Sequence, residues 1–243
     1  MSCGHSHMIP LPQVGEASQT GRLTDELAMA IHLGDLIPGT PLREIELADA
    51  HGVSRTIVRA ALQRLEAQGL AEITLNKGAR VKTWEGAAIA DMIELHACLT
   101  SLAARHAAER ASPAQIARMR QFADLLEHVA EDEGPAREFQ HLRIGFARAL
   151  FEAAGPALAE RLRVAAPVAP HHSHALEDIR DGEGQMEAAK LARDVLRAIE
   201  SGAADAASKA AERLIRRHAE RASINAGLKT AKPAPARGAR TAA

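Results

Sequence analysis

Two groups of residues have types and spacings that point to chemistry. The first is Val53–Lys82, VSRTIVRAALQRLEAQGLAEITLNKGARVK, with six basic residues (Arg55, Arg59, Arg64, Lys77, Arg80, Lys82) against two acidic ones (Glu66, Glu72). In a chain of formal net charge −1, such a block is a local electrostatic footprint for a polyanion. Arg55 and Arg59 are four apart and share one face of a helix. A guanidinium there can bind a guanine edge through two hydrogen bonds, while Ser54, Thr56 and the amides of a helix start suit phosphate oxygens. The second group is the twelve histidines. None lies in a His-Glu-x-x-His motif, and there is no P-loop, Rossmann glycine set or nucleophile elbow, so a hydrolase or nucleotide-binding enzyme is not expected.

The elements that must position these residues are mostly helical. Of 243 residues, 47% are hydrophobic and 25% charged, with no Tyr, one Trp and four Phe. The recurring Ala, Leu, Arg and Glu lose little freedom in a helix. Cys3 and Cys98 are too few for a disulfide framework, no leader-like apolar core opens the sequence, and no apolar run approaches membrane-spanning length. A cytoplasmic chain with no membrane partner is the expectation.

RLTDELAMAIHLGDL has helical spacing and ends at Gly34, Pro38, Gly39 and Pro41. LREIELADAHG offers Ile45, Leu47 and Ala48 before Gly52; SRTIVRAALQRLEAQG offers Ile57, Val58, Ala61, Leu62 and Leu65, with Ser54 as N-cap and Gly69 as stop. LAEITLNKGARVKTW then changes period, with Leu70, Ile73, Leu75, Ala79 and Val81 flanking the turn Asn76-Lys77-Gly78. Three helices and a hairpin make a winged helix-turn-helix. From Gly86 to Arg221 helical periodicity returns with five breaks, predicting about six helices in a bundle. The chain divides into a flexible arm (1–20), the winged domain (21–84), an all-α domain (85–222) and a flexible basic tail (223–243).

LREIELADAHGVSRTIVRAALQRLEAQGLAEITLNKGARV closely resembles the DNA-binding domain of the GntR family of bacterial transcription regulators. MIELHACLTSLAARHAAERAS, FARALFEAAGP, VLRAIESG and AERLIRRHAE resemble helices of the FCD effector domain, found in the branch that includes the fatty-acid regulator FadR. The resemblance covers residues 21–222. It implies that the helix from Ser54 enters the major groove, with Arg55 and Arg59 reading bases and Ser54 and Thr56 touching phosphate. The hairpin tip, Lys77 and Gly78 with Arg80 behind it, becomes the wing, and Arg43 matches a further DNA-contacting position. Ile57 stands where Pro is common and Ala60 where Glu is common.

Many FCD domains hold a divalent metal with one Asp and three His. Aligned on that pattern, this chain has Arg143 for the Asp, Ala147 for the first His and Ala192 or Ala188 for the second; His218 falls one turn beyond the last ligand. His96 stands where an Arg is usual and Thr100 where a Glu is usual. No metal or other cofactor is therefore expected. Two readings of the domain stay open. Arg143, His96 and His218 line a metal-free cavity where Arg143 pairs with a carboxylate, or the domain is filled by Ala and Leu side chains and only dimerises. The expectation is a DNA-binding transcriptional regulator, a repressor rather than an enzyme. As a homodimer it binds a double-stranded operator with two-fold symmetry, under the control of a small acidic effector; the alternative is a DNA-binding dimer insensitive to effectors.

Overall fold

The computed structural model describes residues 18–75, 77–83, 87–156, 158–159 and 179–225. Ser18 caps the first helix, α1 (Gln19–His32), its hydroxyl accepting from the Gly21 amide at 3.2 Å. Leu23, Leu27 and Ala28 form its buried stripe. A short strand, β1 (Pro41–Leu42), leads into α2 (Glu44–His51). Gly52 ends α2 at φ +62°, a left-handed conformation that glycine adopts without a Cβ clash. α3 (Arg55–Ala67) begins at the predicted cap, with Ser54 Oγ accepting from the Ile57 amide at 3.4 Å. It stops at the predicted glycine: Gly69 takes φ +71°, and the Leu70 amide closes back onto the Leu65 carbonyl at 2.9 Å.

The hairpin pairs β2 (Ala71–Thr74) with β3 (Gly78–Val81), in the register Ala71↔Val81 and Glu72↔Arg80. The sheet has a third strand that the sequence did not reveal. β1 lies on the free edge of β3, Pro41 opposite Arg80, giving the order β1-β3-β2. Leu23, Leu27, Leu42, Val58, Leu62, Leu65, Leu70 and Val81 close one core around α3. Ile45, Ile73 and Leu75 do not join it: they are 60%, 40% and 87% exposed, because only the base of the hairpin packs on α3 and the start of α2 turns outward.

A second core belongs to a bundle of five described helices: α4 (Ala87–Arg110), α5 (Pro113–Glu131), α6 (Ala136–Ala153), α7 (Gly182–Glu200) and α8 (Ala204–Asn225). Ser112 and Gln115 form a capping box at the start of α5, with Pro113 in its first turn. Phe122, Phe139, Met119, Leu126, Leu150, Leu196 and Ile199 fill the centre, and Gly145 on α6 lets the Phe122 ring of α5 lie against its backbone. Arg193 ties α7 to Asp124 and Glu127 on α5.

The predicted sixth helix falls almost wholly outside the described residues. So do most of the expected arm and tail, although α1 starts at Gln19 and α8 runs to Asn225. No described helix is long and apolar enough to cross a membrane.

Candidate functional site

The eight residues predicted to meet DNA are all exposed. Ser54, Arg55, Thr56 and Arg59 occupy the first two turns at the head of α3. Their arrangement depends on a residue that the sequence reading missed. Glu44, the first residue of α2, accepts from Arg55 Nη2 at 3.2 Å, and from Arg59 Nε and Nη2 at 3.0 and 2.9 Å. The Arg59 hydrogen bonds, ahead of those of Arg55, hold this carboxyl below its usual range. One acid thus aligns both guanidinium groups, whose side chains remain 61% and 60% exposed. The only sequence signal was an acid in the first turn of a helix, which ordinarily answers the helix dipole.

Arg43, at the N-cap of α2, pairs with Glu46 at 2.7 Å. Arg80 pairs across the hairpin with Glu72 at 2.8 Å. The pairing of Pro41 with Arg80 sets the wing strand beside the segment that enters α2 through Arg43. In the turn, the Lys77 amide donates to the Thr74 carbonyl at 3.0 Å and Gly78 takes φ +82°; Asn76 lies outside the described residues.

In the bundle, two of the three residues predicted together meet directly, and the third, His96, lies within reach of the charge of Arg143. Arg143 Nη2 on α6 donates to His218 Nδ1 on α8 at 2.8 Å. A guanidinium only donates, so Nδ1 accepts and the ring is neutral with its proton on Nε2. His96 on α4 is half-buried; loss of water, then the positive charge of Arg143, pushes its pKa down to about 4. One turn away on the same helices, Thr100 from His96 and Gln140 from Arg143, are two buried polar side chains. Thr100 is 2% exposed and Gln140 1% exposed; the Thr100 hydroxyl and both amide atoms of Gln140 have no hydrogen-bond partner among the described residues.

This set does not fit the divalent ion held by many FCD domains. Arg143 brings a positive charge to the lone pair of His218 that would bind it. Among the described residues, no three His, Cys, Asp or Glu side chains gather closely enough to hold a metal.

Residues 19–81 match the gntR family of bacterial regulatory proteins, and residues 91–217 match the FCD domain. The chain belongs to the GntR family and carries an FCD domain. It is 40% identical over 105 residues to the Nta operon transcriptional regulator of Aminobacter aminovorans, covering 43% of this chain and 49% of that protein. It is 31% identical over 133 residues to a probable D-xylose utilization operon transcriptional repressor of Paenarthrobacter nicotinovorans, covering 55% and 58%. The chain thus spans about half the length of the curated relatives it matches.

Two solved structures share the fold. E. coli McbR/YncC has a TM-score of 0.73 at 20% identity, over 86% of this chain and 98% of that one. A putative transcriptional regulator GntR from Rhodococcus sp. RHA1 has a TM-score of 0.64 at 22% identity, over 87% and 99%. The predicted fold class, a winged helix-turn-helix followed by a helical bundle, is the one these structures share.

Proposed function

We propose that the protein is a sequence-specific transcriptional repressor that grips a pseudo-palindromic operator as a homodimer and changes its grip when a small carboxylate enters the FCD domain. The observation that carries this reading is the pair Arg55 and Arg59, exposed at the head of α3 and aligned by Glu44. Placed in a major groove, these two side chains reach base edges, Ser54 and Thr56 meet phosphate, and Lys77 anchors the wing.

Arg143 supports the effector half of the reading. A carboxylate matches the planar fork of a guanidinium and competes with His218 for it. The other side of α6 meets the winged domain: Arg137 pairs with Asp35 at 2.9 Å, and Arg148 acts electrostatically on the buried His32 of α1. A shift of α6 on ligand binding is therefore felt at α1, which packs on α3. The ligand acts only to the extent that it binds the two arrangements differently.

The test is fluorescence-anisotropy titration of a duplex selected by the protein itself, with and without organic acids. An effector changes the affinity by about 5- to 150-fold, and Arg143→Ala abolishes that change while leaving ligand-free DNA binding intact. Constant affinity across all acids would leave a DNA-binding dimer with an inert helical domain.

A further inference from the structure

The outer face of α4 carries a pattern that the bundle itself does not use. Asp91, Leu95, Cys98, Leu102 and Arg105 are all exposed and follow one another at alternating steps of four and three, the spacing of the seam between two coiled helices. Ala97, Ala103, Ala104 and Ala107, on the opposite side, are at most 1% exposed and belong to the core. Leu95 and Leu102 are 44% and 39% exposed. Among the described residues of the bundle, only Met186 on α7 joins them as an exposed large apolar side chain.

The stripe is self-complementary. Asp91 and Arg105 stand seven residues before and after Cys98, and Leu95 and Leu102 stand three before and four after. Against a second α4 running antiparallel about a two-fold axis at Cys98, Asp91 meets the partner's Arg105, and Leu95 lies within one residue rise, about 1.5 Å, of the partner's Leu102. A parallel pair in register would set Asp91 on Asp91 and Arg105 on Arg105. Arg105 holds Asp205 on α8 at 2.5 Å through one nitrogen and stays 44% exposed, so donors remain for a second carboxylate. Glu94, at the border of the stripe, is neutralised by Arg216 at 2.7 Å. A lipid surface or a wholly apolar peptide would cover the two leucines and leave the charges at both ends unanswered.

We infer that α4 pairs antiparallel with α4 of a second copy, Leu95 and Leu102 packing across the axis and Asp91 bridging to Arg105. The inference rests on the reading of the protein as a homodimer and assigns the surface that makes it.

Cys98 is an exposed free thiol and reports this contact. Helix axes 8–10 Å apart, with Cα atoms about 2.3 Å from each axis, bring two facing Cα atoms to about 4–6 Å, within the span of a disulfide. The test uses the full chain with Cys3→Ser, which leaves Cys98 as its one thiol, treated with copper phenanthroline in air. Each disulfide formed passes two electrons and two protons from two thiols to dioxygen. A cross-linked dimer is expected, at a yield that does not fall on dilution within the range where sedimentation shows a dimer. Leu95→Glu/Leu102→Glu should raise the dimer dissociation constant at least about tenfold, with the circular dichroism of the parent because both side chains are exposed. A parent dimer that does not cross-link through Cys98, or does so only in proportion to concentration, overturns the inference and leaves the homodimer reading in place. So does a double variant that dimerises as tightly as the parent. A parent that sediments as a monomer at concentrations where it binds DNA sinks both.

Discussion

Arg59 on α3 and Glu44 on α2 face each other as a two-bond fork, Nε to Oε1 at 3.0 Å and Nη2 to Oε2 at 2.9 Å, and the same carboxylate holds Arg55. An acid between two groups proposed to meet DNA sets their direction and reduces their net charge. Replacing Glu44 by Gln keeps the shape and removes the charge. Affinity for non-specific duplex should then rise, and its dependence on log salt should steepen by about one. Because Arg55 and Arg59 are exposed, folding stability should change by less than about 1 kcal/mol. An unchanged salt slope would show that Glu44 does not moderate these arginines.

Lys77 in the wing has the opposite expectation. If it makes the proposed phosphate contact, which carries no sequence information, Lys77→Ala should weaken binding to every duplex alike and reduce the salt slope by about one. Titration of two unrelated duplexes at several salt concentrations checks this; loss confined to one sequence would make Lys77 a base reader.

Gly145 tests the packing of α5 on α6. In an open helix position Gly→Ala stabilises by roughly 0.5–1 kcal/mol. Here the added methyl would overlap the Phe122 ring, which is 2% exposed and has no open side to move into. Overpacking wins, and Gly145→Ala should lose about 1–3 kcal/mol in denaturant melts. Phe122→Leu in the same chain should relieve part of the clash. A stabilised Gly145→Ala would show that the helices part more easily than this contact implies.

His32 makes stability depend on pH. Burial, then the charge of Arg148, pushes its pKa from 6.5 to about 3. Below pH 6.5 the unfolded chain takes up a proton at this residue that the folded chain refuses, so stability falls as pH falls towards 3. At pH 5 the contribution of His32 is a loss of about 2 kcal/mol relative to pH 7. His96, depressed to about 4, acts in the same direction. Denaturant melts at pH 7 and 5 should show a smaller drop for His32→Leu than for the parent; identical drops would mean that His32 protonates freely in the folded protein.

Local signals were legible in the sequence where one residue type decides the backbone. Ser54 and Gly69 mark the two ends of α3 because a hydroxyl cap and a left-handed glycine act within a turn. The two residues of β1 carry no period; their strand exists only through pairing with β3. Ile73 and Leu75 have strand-like types but stand on a wing that packs only at its base. Arg143 and His218 could be placed together only through the family resemblance, being 75 positions apart. Glu44 and His32 were missed for a related reason. Nothing near Glu44 in sequence says that the start of α2 faces the start of α3, and nothing near His32 says that it will be buried within reach of the charge of Arg148 on α6.

Selection of bound sequences from a random duplex pool, by the parent and by Arg59→Ala, tests the central claim most directly. The parent should enrich a two-fold-symmetric site. On that site Arg59→Ala should lose about 1–3 kcal/mol and accept other bases at the position Arg59 reads. A variant that enriches the same site with the affinity of the parent would contradict the assignment of α3 as the recognition helix.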